Sequence, residues 1–156
     1  MNRRTLLLSI AAVGTVMTAG CSSSSNQSKT EPEEAVKQYI TAIQNGDTEN
    51  VNEVLHPESP SYPRENITVP DQEITPNEVN QVSSREYIEQ RAAGSNITKE
   101  EYQQAINSTE QSLRQLENET GAEKSAIVIL SWEQEEGKRE QEYPVIKDND
   151  NWYVYV

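Results

Sequence analysis

The sequence predicts an α+β domain in which N-terminal helices pack on a curved antiparallel sheet. Three observations lead to this fold class. Apolar residues recur at helical spacing after Pro32, later segments open with helix-capping residues, and the last third of the chain consists of β-branched runs separated by polar turns. Helices followed by an antiparallel sheet are typical of α+β domains.

The first two helices are predicted from the residues at their ends. Thr30 and Glu33 have the spacing of a capping box, and Gly46 ends the helix that they open. Asp47 then caps a second, shorter helix, which stops at His56 in front of a proline. A tight turn between the two helices predicts a compact helix pair.

The middle of the chain is predicted from its prolines and caps. Residues 57–76 hold five prolines, which favours loop or edge strand, and residues 77–82 predict a short strand. Two further capping boxes then open helices: Ser83 with Glu86, and Thr98 with Glu101. The pattern leaves the second of these helices either continuous or broken near Ser108.

The C-terminal third predicts three strands of an antiparallel meander. They span residues 125–132, 142–147 and 152–156, with polar turns between them. The first is apolar on both faces and is therefore expected to be the central strand. Its Ile127 and Ile129 are expected to point inward, together with Val145, Val154 and Tyr155.

Composition excludes several classes of protein. The 156 residues include 26 acidic and 13 basic ones, for a net charge of −13, with one Cys and one His. So few thiols and imidazoles exclude a disulfide framework and a metal site built on several Cys or His residues, and no glycine spacing fits a nucleotide loop. The acidic surface repels phosphate backbones, so nucleic acid is not expected as a partner. Because these motifs are missing, no cofactor is expected either.

Residues 1–20 predict a signal peptide. Arg3 and Arg4 precede a largely apolar run of 12 residues, Leu6–Met17, which is shorter than the roughly 20 residues that span a bilayer. The segment from Asn2 to Leu7 resembles a twin-arginine export motif. The general secretory route stays open as an alternative.

The sequence Thr18-Ala19-Gly20-Cys21 resembles a lipobox, the cleavage site of bacterial and archaeal lipoproteins. The resemblance implies cleavage before Cys21 and lipidation of that residue, which anchors the chain on the extracytoplasmic face of the cell membrane. Residues 21–30 are rich in serine and predict a flexible tether.

The acid-rich, lysine-poor composition resembles proteins of salt-in halophiles. Together with the export motif it suggests a haloarchaeal lipoprotein, and an acidic lipoprotein from a Gram-positive bacterium is the alternative. Because residues 1–20 contain two arginines and no acid, cleavage takes the net charge from −13 to −15.

Two segments resemble the nuclear-transport-factor-2-like domains. The opening of these domains is similar to residues 33–40 followed by Asn45-Gly46-Asp47 and Val54-Leu55-His56-Pro57. Their last hairpin is similar to residues 143–154. The resemblance covers residues 31–56 and 125–156 and leaves the middle unmatched. It implies a cone-shaped, cystatin-like α+β fold for a single domain, residues 31–156.

Candidate functional residues are few. In enzymes of the resembled superfamily a His or Asp in the cone mouth acts as general base, and His56 is the only imidazole. Its place at a helix end favours a capping or surface role instead. The sequence therefore assigns no catalytic residue. Four aromatic residues on apolar faces are predicted to be core: Tyr39, Tyr102, Tyr143 and Trp152.

Five Asn-x-Ser/Thr triplets occur, and those at Asn66 and Asn96 fall in predicted loops, which makes them candidate glycosylation sites. The leading functional hypothesis is a non-enzymatic, lipid-anchored domain that binds a protein or a small molecule. The alternative is a small cone-cavity enzyme of the polyketide-cyclase or dehydratase type.

Overall fold

The structure, a computed structural model, describes residues 30–156. Three predictions lie outside the described residues: the signal peptide with Arg3 and Arg4, the lipidation site Cys21, and the tether up to residue 29. The α+β class is confirmed within them, because four helices pack against a four-stranded antiparallel sheet.

Helix α1 spans Pro32–Asn45 and helix α2 spans Thr48–Val54. Gly46 ends α1 with a φ of 65°, and the N–H of Asp47 donates to the carbonyl of Ala42 at 2.9 Å. Such left-handed caps satisfy the last carbonyls of a helix, and they suit glycine because it has no Cβ. The Asp47 carboxylate accepts from the N–H of Asn50 at 3.1 Å and caps α2, as predicted.

The predicted capping box at the start of α1 is wrong. The helix is capped by Glu31, whose side chain makes no capping hydrogen bond, and Pro32 is its first residue. Glu33 is turned to a different partner, because its Oε1 accepts the backbone N–H of Gln81 at 3.0 Å. A contact between residues so far apart in the chain overrides the local pattern.

The sheet is a meander with the strand order β1-β2-β3-β4, and every neighbouring pair is antiparallel. Its strands are β1, Glu78–Val82; β2, Lys124–Gln134; β3, Gly137–Asp148; and β4, Asn151–Val154. Strand β2 lies between β1 and β3, which confirms its expected central position. It is buried from Ser125 to Leu130, and only Ile129 in this stretch is partly exposed. Strand β3 is longer than predicted, because its first half pairs with β2 through an exposed, polar stretch that carries no apolar pattern.

The turn between β3 and β4 confirms the predicted hairpin. Asn149 and Asp150 both have positive φ values, 48° and 65°. Consecutive positive φ angles define the type I′ turn, whose twist matches that of the strands, and Asn and Asp tolerate this conformation well.

Helices lie on both faces of the sheet. Alternation along β2 turns Ala126, Val128 and Leu130 towards α1 and α2, where they form one apolar core. Helices α3, Ser84–Ala92, and α4, Lys99–Thr120, lie on the opposite face, where the hydroxyl of Ser125 donates to the Leu113 carbonyl of α4 at 3.1 Å.

Both capping boxes of this second layer are present as predicted, and α4 runs unbroken past Ser108. The second layer is thinly packed, since each of its helices contributes a single buried apolar residue, Ile88 from α3 and Ile106 from α4.

The five residues that were predicted to point inward do not share one face of the sheet. Val145 and Val154 do face the core beneath α1, but Ile127 and Ile129 point to the other face and Tyr155 lies beyond the end of β4. A one-residue step along a strand reverses the direction of the side chain. A strand that is apolar on both faces therefore does not reveal which of its residues share a layer.

The excess of acidic residues predicts a strong dependence of stability on salt. With a net charge of −13, self-repulsion opposes folding and is screened as ionic strength rises. A gain of about 1–2 kcal/mol between dilute and molar KCl would raise the Tm by roughly 4–10 °C. Thermal melts in KCl measure this gain, with the zwitterion betaine at equal osmolality as control. Equal midpoints in dilute and molar KCl would contradict the prediction.

Candidate functional site

His56, the only imidazole, is buried, so the predicted surface role is wrong. It is 4% exposed and follows the end of α2. Its burial arises from the pairing of Leu55 with Val154 in a parallel bridge, followed by a hydrogen bond from the His56 N–H to the Val154 carbonyl at 3.0 Å. This segment lies along β4 and brings the imidazole under the β3–β4 hairpin.

Both nitrogens of the His56 ring face a protein group. Nδ1 accepts the backbone N–H of Glu58 at 3.1 Å, so the proton of the neutral ring is on Nε2, which faces Asp148 Oδ2 at 3.8 Å. The ring also contacts Tyr153 edge to face, with 5.7 Å between centroids. A carboxylate beside an imidazole can orient the ring as a general base. A general base must also reach a proton on its substrate. Buried under Tyr153, this one serves to join α2 to the hairpin.

The neighbouring serine has the same joining role. Ser59 is buried, and its hydroxyl donates to the carbonyl of Val156 while it accepts the N–H of Val156 at 3.2 Å. The N–H of Ser61 also donates to the Val156 carbonyl, at 3.0 Å. Ser59 is thus occupied on both its donor and acceptor sides and lies too far into the fold for a nucleophile.

Two tyrosines and an arginine meet at the border of the core. Tyr39 of α1 and Tyr143 of β3 pack edge to face with centroids 5.9 Å apart, and the guanidinium carbon of Arg64 lies 5.9 Å from the centre of the Tyr39 ring. Burial raises the pKa of both phenols, and the charge of Arg64 only partly opposes it. Both phenols are therefore neutral near pH 7 and pack as core residues.

These positions largely confirm the predicted aromatic core. Tyr39, Tyr143 and Trp152 are buried in it, whereas Tyr102 is only partly buried and its hydroxyl donates to Glu89 Oε1 at 2.9 Å. Tyr102 belongs to the contact between α3 and α4, so its predicted place in the core is wrong.

The second face carries a polar network that the sequence did not predict. The Tyr87 hydroxyl of α3 donates to Glu142 Oε2 of β3 at 2.7 Å, and the Arg91 guanidinium binds the same carboxylate oxygen. Glu142 raises the pKa of Arg91, and burial is the main cause of a raised pKa at Tyr87. A groove of about 310 Å³ lies beside this network, over Ile129. The side chains of Arg91 and Glu142 are 62% and 44% exposed, so the network joins α3 to the sheet at the surface.

A larger groove lies between α1 and the outer strand β1. This edge groove has a volume of about 550 Å³, and it is lined by Lys37, Ile40 and Thr41 of α1 and by Glu78, Val79 and Asn80 of β1. It is open to solvent. No motif predicted it, because helix and strand come from segments separated by a proline-rich loop.

The two candidate glycosylation sites, Asn66 and Asn96, are exposed and lie in loops, Asn66 before β1 and Asn96 between α3 and α4. Within residues 30–156, no cluster of three or more His, Cys, Asp or Glu side chains has the geometry to hold a metal ion. None of the helices described for this part of the chain is long and apolar enough to cross a membrane.

Comparisons with protein-family models, with curated proteins and with solved structures found no match to this chain.

Proposed function

We propose that this chain is an exported lipoprotein, anchored through lipid on Cys21 to the extracytoplasmic face of the cell membrane, and that its α+β domain binds a partner without catalysing a reaction. The anchor rests on the lipobox-like Thr18-Ala19-Gly20-Cys21. The export motif at Arg3 and Arg4, with the acid-rich composition, supports twin-arginine export in a haloarchaeon. The partner is a protein or a small molecule.

We place the domain among the cone-shaped, nuclear-transport-factor-2-like folds. The helix pair followed at the end of the chain by an antiparallel meander supports this placement. The unmatched middle of the sequence holds α3 and α4, which add a layer on the opposite face of the sheet.

The observation that carries the non-enzymatic function is the state of His56. The single imidazole is buried, with Nδ1 bonded to Glu58 N–H and Nε2 facing Asp148. The interior beneath α1 is filled by apolar side chains, with Val36, Val128 and Leu130 fully buried. A cone-cavity enzyme requires an accessible base inside that space, and the polyketide-cyclase or dehydratase alternative is therefore the weaker one.

Replacement of His56 by Asn is expected to preserve the biological role of the protein. The Asn side-chain oxygen can accept the Glu58 N–H in place of Nδ1, so most of the stability is kept. His56→Ala removes the acceptor and the packing on Tyr153 and is expected to cost about 2 kcal/mol. Complementation of a deletion strain, beside thermal melts of both variants, measures the two effects.

The same pair of variants tests the alternative. A general base removed from an enzyme lowers activity by about 10² or more without necessarily affecting stability. If His56→Asn melts like the parent protein but fails to complement, the non-enzymatic proposal is wrong and the cone enzyme takes its place.

A further inference from the structure

The edge groove exposes backbone hydrogen-bonding groups of β1. This strand is the outer one of the sheet, with β2 as its neighbour. The N–H of Gln81 donates to Glu33 Oε1 at 3.0 Å, so it points away from β2 and towards α1. In an antiparallel strand the direction of the backbone groups repeats every two residues. The N–H and C=O of Val79 therefore also point away from β2, into the groove.

The length of the groove fits a short extended segment. Glu33 closes one end by its bond to Gln81, and Gln44 closes the other, where its Nε2 donates to the carbonyl of Ile74. Along α1 the distance from Glu33 to Gln44 is about 16 Å, at 1.5 Å per residue. An extended chain rises about 3.3 Å per residue, so about five residues fit between the two closed ends.

The side chains around the groove differ between the two faces of the sheet. Val79 is paired with Leu130 and shares its face, where Ile40 of α1 adds apolar surface. Glu78 and Asn80 point to the other face. A strand placed beside β1 would alternate in the same way. Its side chains on the α1 face would meet apolar groups, and those on the opposite face would meet Glu78, whose carboxylate also lies 3.9 Å from Lys138 Nζ of β3.

The charge around the groove favours a basic occupant. The charged residues that line it are Lys37 and Glu78, and the segments that border it, residues 31–44 and 71–80, add five further acidic residues and no further basic one. Complementary charges across an interface favour association, and like charges suppress it. An acidic segment, or a second copy of this acidic chain, would be repelled.

We infer that the edge groove binds an extended segment of a partner protein, about five residues long with alternating apolar and basic side chains, which adds to β1 as a fifth strand. Addition of a strand to an exposed sheet edge is a general mode of peptide recognition, in which main-chain bonds supply affinity and alternate side chains supply specificity. The inference rests on the proposed function, because it gives the binding domain a partner of defined chemistry.

The probe for this inference is a fluorescein-labelled heptapeptide of alternating Val and Lys. Its fluorescence anisotropy is followed during titration with the full-length chain carrying Cys21→Ser. Saturable binding is expected, and a heptapeptide of alternating Val and Glu is expected to bind at least about tenfold more weakly, a difference of about 1.4 kcal/mol. A Val–Lys peptide N-methylated at alternate amides has the same charge but lacks the donors for β1, and it should bind about tenfold more weakly.

Variants of the groove separate strand addition from attraction by charge alone. Val79→Pro removes the N–H that faces the groove and retains the bonds to β2, because proline is tolerated where an edge N–H points outward. It should weaken binding of the Val–Lys peptide about tenfold. Glu78→Lys should weaken the Val–Lys peptide and strengthen the Val–Glu peptide, each about threefold. Glu119→Lys on α4 makes the same change of charge outside the groove and should leave binding within about twofold.

Three results would overturn the inference. The first is no binding of the Val–Lys peptide at millimolar concentration, and the second is binding that neither N-methylation nor Val79→Pro weakens. The third is a dimer in sedimentation that Val79→Pro dissociates, because the edge would then belong to a second copy of the chain. Each leaves membrane anchoring and the His56 variants unaffected, whereas failure of His56→Asn to complement would contradict the proposed function without changing peptide binding.

Discussion

Cys21→Ser is expected either to release the protein from the membrane fraction or to leave the precursor uncleaved. The serine hydroxyl cannot form the thioether that carries the lipid, and each CH₂ of a buried acyl chain contributes about 0.8 kcal/mol to membrane binding. Cys21 is the only thiol in the chain, so no other residue can replace it. Cell fractionation with intact-mass measurement gives the result, since an uncleaved precursor is heavier than the mature chain by the signal peptide.

A neighbouring substitution is the matched control. Ser23→Ala changes one hydroxyl in the same segment and should leave the protein in the membrane fraction. If the Cys21→Ser chain still fractionates with membranes at the full mature mass, the lipobox interpretation is wrong, and with it the proposed localisation.

Leu130→Ala is expected to destabilise the domain strongly. Leu130 is fully buried beneath α1, at the centre of the inner strand β2. Truncation of a buried leucine costs about 3–5 kcal/mol in lost burial and in the cavity that remains. Native domains are stable by about 5–15 kcal/mol in total, so this loss is a large fraction of the whole. Urea denaturation should show a lower midpoint at an unchanged m value.

The adjacent residue supplies the control for Leu130. Ile129 is partly exposed and points to the opposite face, beside the thinly packed second layer. Ile129→Ala should cost about 1–2 kcal/mol, because its site is partly hydrated already. Equal losses from the two variants would mean that the second face is packed as tightly at this position as the face of α1.

Local signals predicted most of the elements correctly, and long-range contacts account for the errors. Gly46, Asp47 and the turn residues Asn149 and Asp150 define ends and turns through their own backbone preferences, so the sequence places them well. Glu33 fits a capping box by spacing, but its carboxylate binds Gln81, whose position depends on the whole fold.

The same reason explains why the site was harder to predict than the fold. His56 is at a helix end by sequence, and only the pairing of Leu55 with Val154 buries it. The edge groove likewise depends on how α1 crosses the outer strand, and neither segment carries a motif for it. Alternation of apolar residues shows that a strand is buried, but it does not show which helices cover each face.

The thin second layer has a consequence for how the domain opens. Helices α3 and α4 contribute one buried apolar residue each, Ile88 and Ile106, to a layer that also includes Ile127 and Ile146 of the sheet, and surface contacts such as that of Tyr87 with Glu142 add to it. Regions with few buried apolar contacts open at a lower free energy than the global transition. We therefore expect the amides of α3 and α4 to exchange with solvent deuterium through a sub-global opening, and those of β2 to exchange only when the entire domain unfolds.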